Sequence, residues 1–488
     1  PTYHSSLIFS DIAAVNIARP SEDYISQAKA NSNKGELYVI ARLMETHITT
    51  DTEGQWETLE NGDHVWRVKI VGKHAKALAL HFDRFNLPRG SRLYIYDEDR
   101  TQLLGGYNEK DSNGDKEYSI GLILGESVIV EYVAPSMFSK GEKKAILNEE
   151  VATPDFVISK VAYIFRGVED LQMIKDLGDC ESCEVNVNCP EGDNWQLQKR
   201  GVARIYVVAG YQAGWCSGTL INNLANDGTP YFLTAHHCGE SSSSSDFNQW
   251  KFYFNYEYSG CSNSNLVASN HTVTGCSVKA LGNMTGGSDF LLLQLNQAPN
   301  NSWNPIYCGW RRDNTAPTSG VGIHHPSGDA KKISAYTNTL STTTYPYGNC
   351  ASNAHWEIAD WAQTTTNRGV TEGGSSGSAL FDQNGYIIGT LTGGTANCSY
   401  PHDDYYGKLY YHWDQNGTSS DKQLKPWLDP NNTGNTSCPM YDPNNPDNPD
   451  NPDNPDNPDN PDNPDNPDNP DNPNTPEGVI VFDADVDQ

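Results

Sequence analysis

The stretch GVTEGGSSGSALF, Gly369 to Phe381, packs three serines and four glycines into thirteen residues ahead of a segment that reads as a strand. Two readings compete for it. One is a flexible surface turn. The other is a catalytic elbow, in which one serine attacks while the glycines free backbone N–H groups to receive negative charge. A serine hydroxyl is a poor nucleophile and needs a base and an orienting group from elsewhere in the chain. The fold therefore turns on whether those two partners can be found.

The 488 residues are too many for one ordinary domain and enough for large buried cores. The formal charge is −29, and it is still −16 without the tail from Pro443 onward, which holds 13 Asp and Glu and no Lys or Arg. An acidic surface of this kind disfavours nucleic acid and anionic membranes as partners and modestly favours basic substrates. No apolar run is long enough to span a bilayer, so membrane insertion is not expected. The N-terminus carries no charged-then-apolar signal segment, which is compatible with one removed ahead of this numbering. Eleven cysteines, mostly in separate contexts, suit an oxidising compartment. Cys180 and Cys183 form a C-x-x-C with Cys189 close behind, but the second close ligand pair of a zinc site is missing. Disulfides are expected in place of metal, with at least one thiol left over. No cofactor is expected.

Four pieces are expected, at residues 1–175, 176–440, 441–476 and 477–488. The first carries period-two segments such as HVWRVKIVG, ALALHF, SRLYIYDE and SVIVEYV between turn-forming residues, an antiparallel β pattern suited to a sandwich. In the second, cysteines and tryptophans appear and short strands alternate with polar loops. The third contains Pro-Asp-Asn repeated nine times from Pro446 to Asn472. Proline at every third position blocks helix and sheet, so this reads as an extended spacer. One carboxylate per three extended residues makes no calcium cage. The last residues, GVIVFDADVDQ, look like the first strand of something cut short.

Within the second piece TPYFLTAHHCGE, Thr229 to Glu240, is an apolar strand that stops at two histidines and a cysteine. Upstream, GWCSGTLINN supplies Cys216. A disulfide from Cys216 to Cys238 would fix the histidine beside it as a general base, against the plainer reading of a structural histidine. Further on, GGSDFLLLQL puts Asp289 at the mouth of a fully apolar strand, where a buried acid needs a partner. A histidine N–H suits it, and so does the role of a loop-capping aspartate. Singly each signal is weak. Together they give the order His, Asp, Ser, each at the edge of a β segment, which is the order of chymotrypsin-type proteases.

LTAHHC, SDFLLL and GGSSGS resemble the three active-site blocks of the chymotrypsin-like fold, and the detail is closer to bacterial lysyl endopeptidases. CEVNVNCPEGD, GVGIHHPSGDAKKIS, GVTEGGSSGSAL and KPWLDP are all similar to segments of that family, over roughly Cys183 to Pro430. The resemblance implies an all-β chain, with a chymotrypsin-like double β-barrel at 176–440 preceded by a β-rich propeptide at 1–175. It implies His237, not His236, as base, Asp289 as its orienter, and Ser376, not Ser375 or Ser378, as nucleophile. It also implies the N–H groups of Gly374 and Ser376 as the oxyanion hole.

Substrate choice is separate. Val370 stands six residues before the nucleophile, where trypsin-like enzymes have their pocket carboxylate, so a pocket of that design is excluded. The lysyl endopeptidases take the charge from a later block, matched here by DYYGK, which implies Asp404 as the pocket acid. By strand alternation Asp403 points the other way. One buried carboxylate favours lysine, a compact charge on a flexible stem, with arginine as well as lysine the alternative.

Two departures stand out. Family members can have LHGG beside the pocket where this chain has LTGG, with Thr392; and the loop ADWAQTTTNRG is longer than usual, which leaves a tryptophan contact near the pocket unassigned. His324 and His325 are given a structural role. The resemblance further implies disulfides Cys183–Cys398, Cys189–Cys261 and Cys216–Cys238, leaving Cys180, Cys276, Cys308, Cys350 and Cys438 unassigned. It implies a secreted or cell-surface bacterial enzyme, a monomer, cutting proteins or peptides after lysine. A zymogen releasing itself between Lys175 and Asp176 would fit that specificity. A non-catalytic binding protein on the protease fold is the alternative from another class.

Overall fold

The computed structural model describes residues 12–30, 35–114, 116–134, 153–168, 180–264, 266–267 and 271–445. Lys175, Asp176, the Pro-Asp-Asn repeat and the last segment lie outside them. Described helices are few and short; the longest is Glu22–Ala30. No described helix is long and apolar enough to cross a membrane.

Two barrels make up the part from Cys183 onward. The first is built from Val202–Ala209, Gln212–Leu220, Tyr231–Thr234, Lys251–Phe254, Cys276–Gly282 and Phe290–Leu295. The second is a nine-stranded sheet running Lys332–Tyr336, Gly320–His324, Ala379–Asp382, Ile387–Gly394, Asp404–Lys408, His355–Ile358 and Ser341–Thr343, with Trp310–Arg311 and Ser437–Cys438 attached. Apolar residues fill each: Phe232, Phe252 and Leu293 in the first, Trp356, Leu380 and Tyr406 in the second, all inaccessible to solvent. This is the chymotrypsin-like double barrel.

The N-terminal region does form two facing sheets. One has six strands, with His64–Val71 and Ser127–Ala134 at its centre. The other, Tyr38–Ile48, Asp155–Ile164 and Ala77–Asn86, is not closed on itself. Tyr38–Ile48 pairs antiparallel with Gln212–Leu220, so one twelve-stranded sheet runs from the N-terminal region into the first barrel. Burial follows: Ile40, Leu43 and Ile164 share a core with Val207, Trp215 and Phe252. Every residue of Val202–Ala209 is buried, because both of its faces are covered. Fully burying an aliphatic side chain contributes about 1.5–3 kcal/mol, so this shared core is a substantial bond between the two regions.

Candidate active site

The strand Gln212–Leu220 organises the site. One edge pairs along its whole length with Val202–Ala209. The other edge is divided. Gln212–Trp215 faces Tyr38–Arg42, and Thr219 and Leu220 face Leu233 and Phe232 of Tyr231–Thr234. Between them the Ser217 N–H donates to the Ser376 carbonyl at 2.9 Å, and the Ser217 hydroxyl donates to the Gly374 carbonyl at 2.9 Å. The serine-rich elbow thus hangs on the gap between two strand pairings.

Tyr231–Thr234 ends at Ala235, where the chain turns into a single helical turn, His236–Gly239. The Cys216–Cys238 disulfide ties that turn to the central strand. Asp289, fully buried and in the left-handed region at φ 61°, reaches the turn with both carboxylate oxygens. Oδ1 accepts from the His237 N–H at 2.9 Å, and Oδ2 faces His237 Nδ1 at 2.7 Å. An ionised carboxylate only accepts, so it places the ring proton on Nδ1 and leaves Nε2 as an acceptor. His236, with its pKa lowered by burial, takes no part in this pairing. Ser288 anchors the aspartate loop: its hydroxyl meets His412 Nδ1 at 2.7 Å and its N–H donates to Asn416 Oδ1 at 3.0 Å.

Gly374 (φ 94°) and Gly377 (φ 81°) take backbone angles that side chains resist. A Cβ on Gly377 would lie 2.6 Å from the Ala235 nitrogen, so only glycine lets the elbow close against the histidine strand. Of the three serines, Ser375 is turned away: its hydroxyl meets His324 Nδ1 at 2.7 Å and accepts from the Glu372 N–H at 3.1 Å. Ser376 Oγ and His237 Nε2 are both buried and make no hydrogen bond among the described residues. Nor do the N–H groups of Gly374 and Ser376 donate to any described group. An oriented imidazole acceptor, a buried hydroxyl and two N–H groups left undonated among the described residues are the components of acyl transfer.

The second barrel supplies an acid. Asp404 is fully buried at the start of Asp404–Lys408, and its Oδ2 accepts from Trp361 Nε1 at 2.8 Å and from the Thr371 hydroxyl at 2.7 Å. Thr371 belongs to the elbow stretch itself. Gly394 pairs with Asp404, and a Cβ there would lie 2.6 Å from the Asp404 Cα, so glycine keeps the acid's flank open. Asp403, at φ 69°, turns outward and accepts from the Tyr400 hydroxyl at 2.9 Å. Val370 is buried in the core of the second barrel.

Several neighbours were not legible in the sequence. Trp361 lies in the long loop whose tryptophan contact could not be assigned. Thr392 is faced by an imidazole from the strand two places away in the sheet, His355 Nε2 at 3.1 Å from its hydroxyl. Burial lowers His355 to a pKa of about 4 and holds His325 and His412 well below the usual histidine range. These rings are neutral struts. His324 and His325 are both inaccessible, and His325 Nδ1 meets the Asp329 carbonyl at 2.9 Å. The structure joins Cys183 to Cys398 and Cys189 to Cys261 as well as Cys216 to Cys238; Cys180, Cys276, Cys308, Cys350 and Cys438 are thiols. The one described cluster of metal-ligand type, Glu181 with Cys183 and Cys398, has both sulfurs in a disulfide.

Residues 177–407 match the family described as lysyl endopeptidase, C-terminal domain. Over 363 residues the chain is 26% identical to a lysyl endopeptidase of Pseudomonas aeruginosa, covering 71% of this chain and 72% of that relative. Among solved structures it is similar to the protease Anisep from Arthrobacter nicotinovorans, at 18% identity and a TM-score of 0.31 over 44% of this chain and 91% of that one. The HtrA-type protease AlgW with a tripeptide gives 13% identity and a TM-score of 0.30, over 45% of this chain and 59% of that one. The chain is a serine endopeptidase acting on proteins or peptides, similar over its residues 177–407 to the lysyl endopeptidase C-terminal domain.

Proposed function

We propose that this chain is the zymogen of a secreted endopeptidase that cuts on the carboxyl side of lysine, with His237, Asp289 and Ser376 as its catalytic triad. The observation that carries the reading is the double grip of Asp289 on His237. With Nδ1 protonated and held, Nε2 takes the proton from Ser376 Oγ as the oxygen attacks the substrate carbonyl. The negative charge that develops falls to the N–H groups of Gly374 and Ser376. The imidazolium then gives its proton to the leaving amine, and water releases the acyl group by the same steps reversed.

Asp404 supports lysine as the recognised side chain. A guanidinium is bound best by two carboxylate oxygens together. Here Oδ2 already accepts two protein hydrogen bonds, which suits a single ammonium better than a fork. Matched lysyl and arginyl ester or peptide substrates test this directly; equal kcat/KM for the two would leave the broader basic specificity standing. Hydrolysis undiminished in Ser376→Ala would instead overturn the assignment of Ser376 as nucleophile, and wild-type protein without any hydrolysis would leave the non-catalytic reading standing.

The N-terminal region up to about residue 175 is the propeptide in this reading, with Lys175–Asp176 as the bond released by self-cleavage. N-terminal sequencing of the processed enzyme decides it, and a start other than Asp176 overturns it. The three disulfides favour an extracellular or cell-surface location. A monomer is expected, with the repeat at 446–472 as a spacer.

A further inference from the structure

The cleft beside His237 has a wall that is not part of the barrels. A cavity of about 310 Å³ is bounded on one side by His237 and Cys238 and on the other by Gly35, Glu36 and Leu37. Those residues continue the strand Tyr38–Ile48 beyond its N-terminal end. The register gives their direction. Val39 lies opposite Gly214 and Tyr38 opposite Trp215, antiparallel, so each step back along the N-terminal segment is a step forward toward Ser217. Ser217 is the residue that holds Ser376 and Gly374. At the far end, a Cβ on Gly35 would lie 2.9 Å from the Tyr345 hydroxyl and 3.4 Å from the Thr392 carbonyl oxygen. Thr392 sits two residues before Gly394, the partner of Asp404. Four residues therefore cross from the edge of one barrel to a strand of the other.

The polarity of that crossing matters. In the triad reading above, the acyl half of a substrate carries its side chain toward Asp404, and the amine half leaves from beside His237, the residue next to Cys238 of the Cys216–Cys238 disulfide. We infer that Gly35–Tyr38 lies along the cleft in the direction of a substrate's main chain and that the N-terminal region silences the protease by occupying that path. Resting on the triad reading above, this names the place and the direction of the inhibition.

Other contacts fix the segment without closing a bond to the reacting groups. Arg166 donates from Nε to the Val39 carbonyl at 2.8 Å and from Nη2 to the Ala28 carbonyl at 2.6 Å, and its guanidinium lies 4.2 Å from the Tyr38 ring centre. The end of the helix Glu22–Ala30 is thereby tied to the strand. Trp215 Nε1 donates to the Gly167 carbonyl at 2.8 Å from the other side. The charge carried by the crossing residues is Glu36, the wrong sign for a pocket closed by Asp404.

The test uses the full chain and a fluorophosphonate probe, which labels activated serine hydroxyls. Samples taken during maturation are separated by size, so that full-length and processed forms are read from one gel. Full-length protein is expected to label at least about tenfold more slowly than processed protein, since the open cleft is then a minor population. Gly35→Val, which drives a side chain into Tyr345 and the Thr392 carbonyl, is expected to raise labelling of the full-length band severalfold. Equal labelling of the two wild-type forms overturns the inference, and this comparison requires no variant to fold. So does unchanged labelling in a Gly35→Val chain with a wild-type near-UV circular dichroism spectrum. Absence of label on both forms fails the triad reading instead, since the processed enzyme has nothing in its cleft.

Discussion

The Thr392 hydroxyl faces His355 Nε2 at 3.1 Å inside the second barrel, so Ile387–Gly394 is braced by His355–Ile358 from the far side of the Asp404–Lys408 strand that lies between them. Burial keeps that imidazole neutral, with a pKa of about 4. His355→Phe is expected to leave the threonine hydroxyl without its partner and to lower stability by about 1–2 kcal/mol. The pH dependence of kcat/KM between 5 and 9 should keep its shape, since a group titrating near 4 does not act there. Urea unfolding and a pH–rate profile check the two halves.

Asp404 and its donor Trp361 have distinct expected signatures. In the proposed lysine pocket, Asp404→Asn removes the charge that would meet the ammonium and should lower kcat/KM on lysyl substrates by roughly 10²–10³-fold, in line with losing a buried charge-assisted pair. Trp361→Phe deletes one hydrogen bond and keeps the ring. It should raise KM about tenfold, corresponding to roughly 1.4 kcal/mol, with kcat little changed. Steady-state kinetics on one lysyl peptide separates the two.

Asp289→Asn keeps the shape of the grip on His237 but turns an acceptor into a donor, which favours the wrong ring tautomer. A fall in kcat of about 10⁴ at neutral pH is expected, with KM nearly unchanged. Because both carboxylate oxygens are engaged, the variant should also lose stability, measurable as a lower urea midpoint.

His81 links the N-terminal region to the first barrel: Nδ1 meets Gln249 Oε1 at 2.7 Å, and Nε2 meets the Tyr206 hydroxyl at 3.3 Å. Burial is the main cause that lowers its pKa to about 4; the Gln249 bond raises it, Lys160 and Lys251 add to the lowering, and Asp246 opposes them. A histidine depressed in the folded state stabilises that state above its unfolded pKa near 6.5, and the contribution drains away as pH falls through 4. Separation of the two regions after cleavage should therefore be promoted between pH 6.5 and 4. His81→Asn should flatten that dependence in size-exclusion profiles across the range.

Much of the site could be read from short blocks because the chemistry needs fixed residue types at strand ends. The TAHHC, GGSDF and GGSSGS segments each carry their own local logic of a turn, a buried acid or a glycine-bounded serine. The double barrel was expected only through the resemblance of those blocks to the chymotrypsin-like fold. What supports the blocks was not readable. Trp361 and Asp404 are 43 residues apart in sequence, Ser288 and His412 are 124 apart, and nothing local announces either hydrogen bond. The period-two pattern of the N-terminal region marked strands that form two facing sheets. It said nothing of which edge stays open, because alternation reports faces while pairing is decided at edges.

The joint between Tyr38–Ile48 and Gln212–Leu220 has a consequence in time. Synthesis runs from the N-terminus, so the template strand exists before the barrel strand that will lie against it. The barrel's long-range pairings, slow to form because their loops must close first, are then assembled on a surface already made. In the proposed zymogen, cleavage would leave the protease in a shape assembled beside that surface but without it. The endurance of such a processed form would then be set by how slowly it unfolds.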